Sequence, residues 1–188
     1  MKKILYSYQR KEAVNILKRN GVLFVPQEMK DKTHLGTWKA GEFAYRFLMS
    51  EMKDRLPKPA HEQAYFPIWA WHTVEGKAPP TESLDEIHHG NIRLKIELEE
   101  ERFLLSDFDM FAAIFAGSRY FKNVKGAYEK YEKHYYDVPD EFFYPNLREM
   151  FTLHRPKNTY YAFSYKKETI QATFFELYLE DVLEFKEV

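Results

Sequence analysis

Residues 92–99 read Ile-Arg-Leu-Lys-Ile-Glu-Leu-Glu, and this strict alternation constrains the fold more than any other stretch. Side chains of a strand point alternately to its two faces, so Ile92, Leu94, Ile96 and Leu98 form one apolar face while Arg93, Lys95, Glu97 and Glu99 form a wet one. A strand with one buried face requires a sheet whose other strands share that face. The rest of the chain must supply them, and it must also supply the layer that covers the sheet.

Further strands are expected at Lys3–Tyr8, at Val22–Val25 (ended by Pro26), in the aromatic run Tyr65–Trp71, at Tyr160–Tyr165 and at Ile170–Leu179. Between them, Ala13, Val14, Ile16 and Leu17 form a helical stripe closing at Asn20-Gly21. Ala40, Phe43, Ala44, Phe47, Leu48 and Met52 follow at spacings of three and four until Leu56-Pro57-Lys58-Pro59 stops the helix. The interval from Thr73 to Gly90 reads as loop. A charged helical pattern runs from Ser106 to about Tyr136, and a further helical stretch passes through Leu147, Met150 and Phe151. No repeat, low-complexity tract or linker divides the chain. Strands at both ends with helices between predict a single α+β domain over residues 1–188, its sheet mixed or mostly antiparallel.

At 188 residues and 45% apolar content, one core buries roughly 70% of the unfolded surface. Phe, Tyr and Trp reach 18%, so rings dominate both the packing and any binding surface. Lys plus Arg (28) against Asp plus Glu (29) leaves a formal charge of −1, which gives no global field for nucleic acid or an anionic membrane. With no cysteine, thiol nucleophiles, disulfides and thiolate metal sites are excluded, which suits the cytosol. The opening Met1-Lys2-Lys3-Ile4-Leu5 begins like a signal peptide, yet Tyr6-Ser7-Tyr8-Gln9-Arg10 ends its apolar run too early. No segment is long enough to span a bilayer. A cytoplasmic protein is therefore expected.

Motifs of common catalytic classes are missing. No GxGxxG, GxxxxGK[ST] or GxSxG occurs, so Rossmann, P-loop and α/β-hydrolase chemistry lack their signatures. His88-His89-Gly90 has no HExxH or carboxylate partner at ligand spacing and reads as a surface turn, so no metal is expected. Ser106-Asp107-Phe108-Asp109 admits a carboxylate pair, but ahead of Phe108, Phe111, Ala112 and Phe115 it fits a helix start with Ser106 as the cap. Trp69 and Trp71 share one strand face, as a stacking platform or as core filling, with His72 on the opposite face. Tyr128, Tyr131, His134, Tyr135 and Tyr136 stand among Lys and Glu, which favours an exposed amphipathic helix over an RNA surface. Gln171, at the edge of an apolar strand, either satisfies backbone groups or faces a ligand.

Four blocks in order, Leu5-Tyr6-Ser7-Tyr8-Gln9, Pro67-Ile68-Trp69-Ala70-Trp71, Leu104-Leu105-Ser106-Asp107-Phe108-Asp109 and Gln171-Ala172-Thr173-Phe174-Phe175-Glu176-Leu177, resemble the bacterial family called domain of unknown function 3841. That family more often has tryptophan where Phe175 stands, and it implies no reaction. The order of elements also resembles, faintly, the ADP-ribosyltransferase-like superfamily. That likeness implies NAD as cofactor or substrate, with Ser7 and Gln9 on the ribose side, Trp69 or Trp71 on the nicotinamide, and Gln171 or Glu176 as the late polar residue at the reacting sugar. The first-strand histidine or arginine of that superfamily is absent here. The expected activity is accordingly nucleotide or NAD-type ligand binding with ADP-ribosyltransferase-like chemistry, the alternative being a noncatalytic binding or protein-interaction module.

Overall fold

The computed structural model describes residues 1–28, 39–115, 147–153 and 168–188. The alternating segment is β4 (Ile92–Glu99), and all eight of its residues pair antiparallel with β1 (Lys2–Gln9), from Lys2 opposite Glu99 to Gln9 opposite Ile92. On the far side of β1 lies β3 (Ile68–Thr73), followed by β6 (Ile170–Phe174) and β5 (Leu104–Asp107). On the far side of β4 lies β8 (Val182–Glu187). The resulting six-stranded sheet has the order β5-β6-β3-β1-β4-β8, antiparallel throughout. A separate ribbon joins β2 (Val22–Phe24) to β7 (Glu176–Tyr178). With four helices among the described residues, the expected α+β architecture is present.

Register divides the side chains between two cores. One face of the sheet carries Leu5, Ile68, Ala70, Leu94, Ile96, Ala172 and Phe174, and α1 (Lys11–Asn20) covers it through Val14 and Leu17 with Leu23 and Leu177 of the ribbon. The other face carries Trp69 and Leu104 under α2 (Lys39–Arg55) and α4 (Phe108–Phe115), which contribute Ala44, Leu48, Met52, Met110, Phe111 and Ile114. A 3₁₀ turn at Leu147–Phe151 adds Met150 and is tied to α2 by Arg148 donating to Glu51 at 2.6 Å. At the end of α1, Gly21 adopts φ 77°, and its N–H closes on the Leu17 carbonyl at 2.8 Å; a side chain would be strained there.

Several expectations are corrected. The interval Thr73–Gly90 is not all loop: α3 (Glu82–Ile87) forms in it, started by Thr81, whose hydroxyl accepts from Leu84 N at 3.3 Å. The run Ile170–Leu179 is not one strand, because it breaks at Phe175. Phe174 enters the first core and Phe175 the second, so the chain must turn between sheets there. The polar face of β4 is not uniformly wet, since Arg93 is buried beside Asp85 of α3. The helical pattern beyond Phe115, the tyrosine cluster of residues 128–136 and the strand read at Tyr160–Tyr165 lie outside the described residues.

The helix start after β5 also differs from expectation. Ser106 is still in the strand, paired with Gln171, and Asp107 does the capping: its Oδ1 accepts from Asp109 N at 3.0 Å and Met110 N at 3.2 Å. A carboxylate there also meets the positive end of the helix dipole. Asp107→Ala is expected to lower unfolding free energy by about 1–2 kcal/mol in urea titrations. A cost near zero would remove the capping assignment.

Candidate functional site

Between β3 and α4 lies a cleft with a cavity of about 380 Å³. Its floor is the sheet face that alternation gives to Trp69 and Trp71, continued by Gln171 directly opposite Trp71 on β6 and by Tyr8 on β1. Its wall is α4, where Phe108, Phe111 and Phe115 recur at helical spacing, and Tyr45 of α2 closes one side. His88, just past α3, closes another.

The rings pack edge on face more than flat. Trp71 meets Phe108 at a centroid distance of 5.0 Å and 70°, Trp69 meets Phe111 at 5.0 Å and 54°, and Tyr45 meets Trp69 at 5.8 Å and 75°. Tyr8 and His88 are the exception, stacked at 4.3 Å and 21°. Trp69 packs against the second core, as the core-filling reading expects, and both tryptophan rings line the cavity.

The described lining residues include no Asp, Glu, Lys or Arg. Burial pushes the Tyr8 and Tyr45 phenols upward and the His88 imidazole downward, so each prefers its neutral form. Behind the cleft, Tyr8 donates from its hydroxyl to Asp85 Oδ1 at 2.7 Å while Arg93 pairs with Oδ2. Burial opposes the Asp85 charge, but these hydrogen bonds outweigh it and hold its pKa below the usual range. Arg93, paired in this way, is not among the cavity's lining residues. At the other end, Gln171 is 2% exposed, and its Nε2 donates to Ser106 Oγ at 3.1 Å.

Of the residues singled out from the sequence, the fold brings Trp69, Trp71 and Gln171 together. Ser7 and Gln9 are not brought in. They sit opposite Leu94 and Ile92, which puts them on the other face of β1, one position out of phase with Tyr6 and Tyr8. Ser7 is fully buried and donates to the Trp69 carbonyl at 2.7 Å, and Gln9 Nε2 donates to Ser7 Oγ at 2.7 Å. Glu176 is elsewhere again, on the β2–β7 ribbon. Its carboxylate accepts from Ala60 N (3.0 Å), His61 N (2.7 Å) and the Tyr178 hydroxyl (3.1 Å) and lies 2.7 Å from His61 Nδ1.

Tyr8, Tyr45, His88 and the α4 phenylalanines were missed as cleft residues. Parity offered a signal for Tyr8, since it shares a strand face with Tyr6, the residue opposite Trp71. His88 does lie in a turn, as expected, but its stacking on Tyr8 joins residues 80 positions apart and has no local signature. Among the described residues no group of three or more His, Asp or Glu is placed to hold a metal, and no helix is long and apolar enough to cross a membrane.

The family model for the domain of unknown function DUF3841 matches residues 4–183. The chain belongs to that family. In this DUF3841 domain the matched span contains β1 from Ile4 onward and every lining residue of the cleft. No curated protein and no solved structure matches the chain.

Proposed function

We propose that this DUF3841 domain is a ligand-binding unit whose cleft takes a flat heteroaromatic ring, a nucleobase or nicotinamide, from a nucleotide or NAD-type small molecule. The carrying observation is a cavity of about 380 Å³ walled by Trp69, Trp71, Phe108, Phe111 and Tyr45, with one buried amide at its floor. Small-molecule sites generally have this form, mostly apolar and aromatic with a few placed polar groups. A stacked ring contributes about 1–3 kcal/mol on such surfaces. A described lining without Asp, Glu, Lys or Arg favours the ring over the phosphates of such a ligand, which would extend toward solvent.

Binding is better supported than transfer of ADP-ribose. Loss of nicotinamide from NAD develops positive charge on the ribose, which a nearby carboxylate would stabilise. Among the described residues no carboxylate lines the cleft, Glu176 is hydrogen-bonded on the other sheet, and Ser7 faces the opposite core.

A thermal-shift titration with NAD, nicotinamide, ADP-ribose and mononucleotides tests the proposal. Ring-bearing ligands are expected to stabilise the domain in a saturating way, approaching about 2.7 kcal/mol at a hundredfold excess over Kd. Trp71→Ala is expected to shrink that gain, as loss of a stacking ring weakens binding. Flat curves for every compound with the unsubstituted protein would reject ring binding.

A further inference from the structure

We infer that the cleft selects rings whose edge carries a hydrogen-bond donor, an amide or amino N–H, and that Gln171 Oε1 is the atom that receives it. This rests on the ring-binding role proposed above and specifies which rings fit. Gln171 lines the cavity while being 2% exposed, so its amide is fixed by protein and does not rotate freely in water. Ser106, itself fully buried and directly opposite on β5, holds the Nε2 end. With Nε2 committed, the carbonyl end is the one left for the cavity, and no described residue donates to it.

No buried side-chain oxygen among the described residues lacks a partner, so Oε1 opens onto the cavity, where a ligand N–H takes the place of water on it. A ligand presenting only an acceptor at that position gains nothing and sets two lone pairs against each other. Among the described lining residues Gln171 alone carries a side-chain amide. The Tyr8 hydroxyl proton is already given to Asp85, and His88 is stacked on the Tyr8 ring. The carboxamide of nicotinamide and the exocyclic amine of adenine have the required edge. A nicotinate ester and the N9-substituted purine of purine riboside lack it.

Matched pairs separate the effects: nicotinamide against methyl nicotinate, and adenosine against purine riboside, titrated by calorimetry into the full chain. The donor-bearing member of each pair is expected to bind about tenfold tighter, the value of one well-made hydrogen bond in a dry site. In Gln171→Leu the ratio should fall to within about twofold, with binding of the ring retained. Trp71→Ala should weaken both members equally. Equal affinities within both pairs for the unsubstituted protein, or tighter binding of the acceptor-only members, would overturn the inference and leave ring binding intact. Binding of none of the four compounds would overturn both. Titrations of the unsubstituted protein alone separate these outcomes, even if Gln171→Leu fails to fold.

Discussion

Phe174→Ala is expected to lower the unfolding free energy by about 3–5 kcal/mol, the range for removing a buried ring and leaving a cavity. Phe174 is 1% exposed, and its aromatic ring lies in the first core on the strand between β3 and β5. Its partner across β3 is Ile68, also buried, and the antiparallel ladders on both sides restrict how far the site can collapse after truncation. Small domains hold only about 5–15 kcal/mol in total, so this one change removes a large share. Urea titration is expected to show a much lower midpoint with an unchanged slope. Ile87→Ala is the contrast: with Ile87 76% exposed, it should shift stability by no more than about 0.5 kcal/mol. A loss under about 1 kcal/mol at Phe174 would mean that β6 is not packed as described.

The second large effect is expected at Glu176, and it should depend on pH. Its carboxylate gathers the backbone N–H groups of Ala60 and His61, the His61 ring and the Tyr178 hydroxyl, and so pins the segment after α2 to the ribbon. Glu176→Ala leaves two backbone donors without their acceptor, at about 2–3 kcal/mol, whereas Glu176→Gln keeps one carbonyl and should cost less. Burial works against the charge, but the hydrogen bonds from His61, Ala60 and Tyr178 outweigh it and depress the pKa below the unfolded value of 4.5. A depressed carboxylate stabilises fully above the unfolded pKa and loses that contribution as pH falls through the folded one. Denaturation midpoints measured from neutral pH downward should therefore drop below about pH 4.5, and more shallowly in Glu176→Gln. An identical acid limb in both proteins would contradict this network.

The sheet was legible where period and burial agree. Ile92–Glu99 and Lys3–Tyr8 announce strands because every second side chain is apolar or aromatic, and the α2 stripe of Ala44, Leu48 and Met52 announces a helix in the same way. Short elements were not. α3 has six residues, and its clearest mark is a single capping threonine, too little to stand against the prolines and charges around it. The break at Phe175 was hidden because Phe175, Glu176 and Leu177 alternate apolar and polar as a half-buried strand does, so nothing local marks an end. Only the two cores, one on each side of the turn, explain the pair of phenylalanines.

The cleft was half legible for a similar reason. Trp69, Trp71 and Gln171 could be found by asking which aromatic and polar residues share a face within their own strands. Ser7 and Gln9 failed the same test one strand over, because the phase of β1 against β3 is set by pairing and not by composition. Ser106 has the residue type and spacing of a helix cap, and only its location opposite Gln171 makes it an amide anchor.

The strand order has a consequence for how the domain is made. β3 is flanked by β1 and β6, and Trp71 pairs with Gln171, 100 positions further on. A ribosome adding about 5–20 residues per second leaves that side of β3 without its neighbour for several seconds. During that interval an open strand edge bears two tryptophans, the condition under which chains stick to one another or to a chaperone. The face that lines the cleft of the finished domain is thus a surface open to error while it is being synthesised.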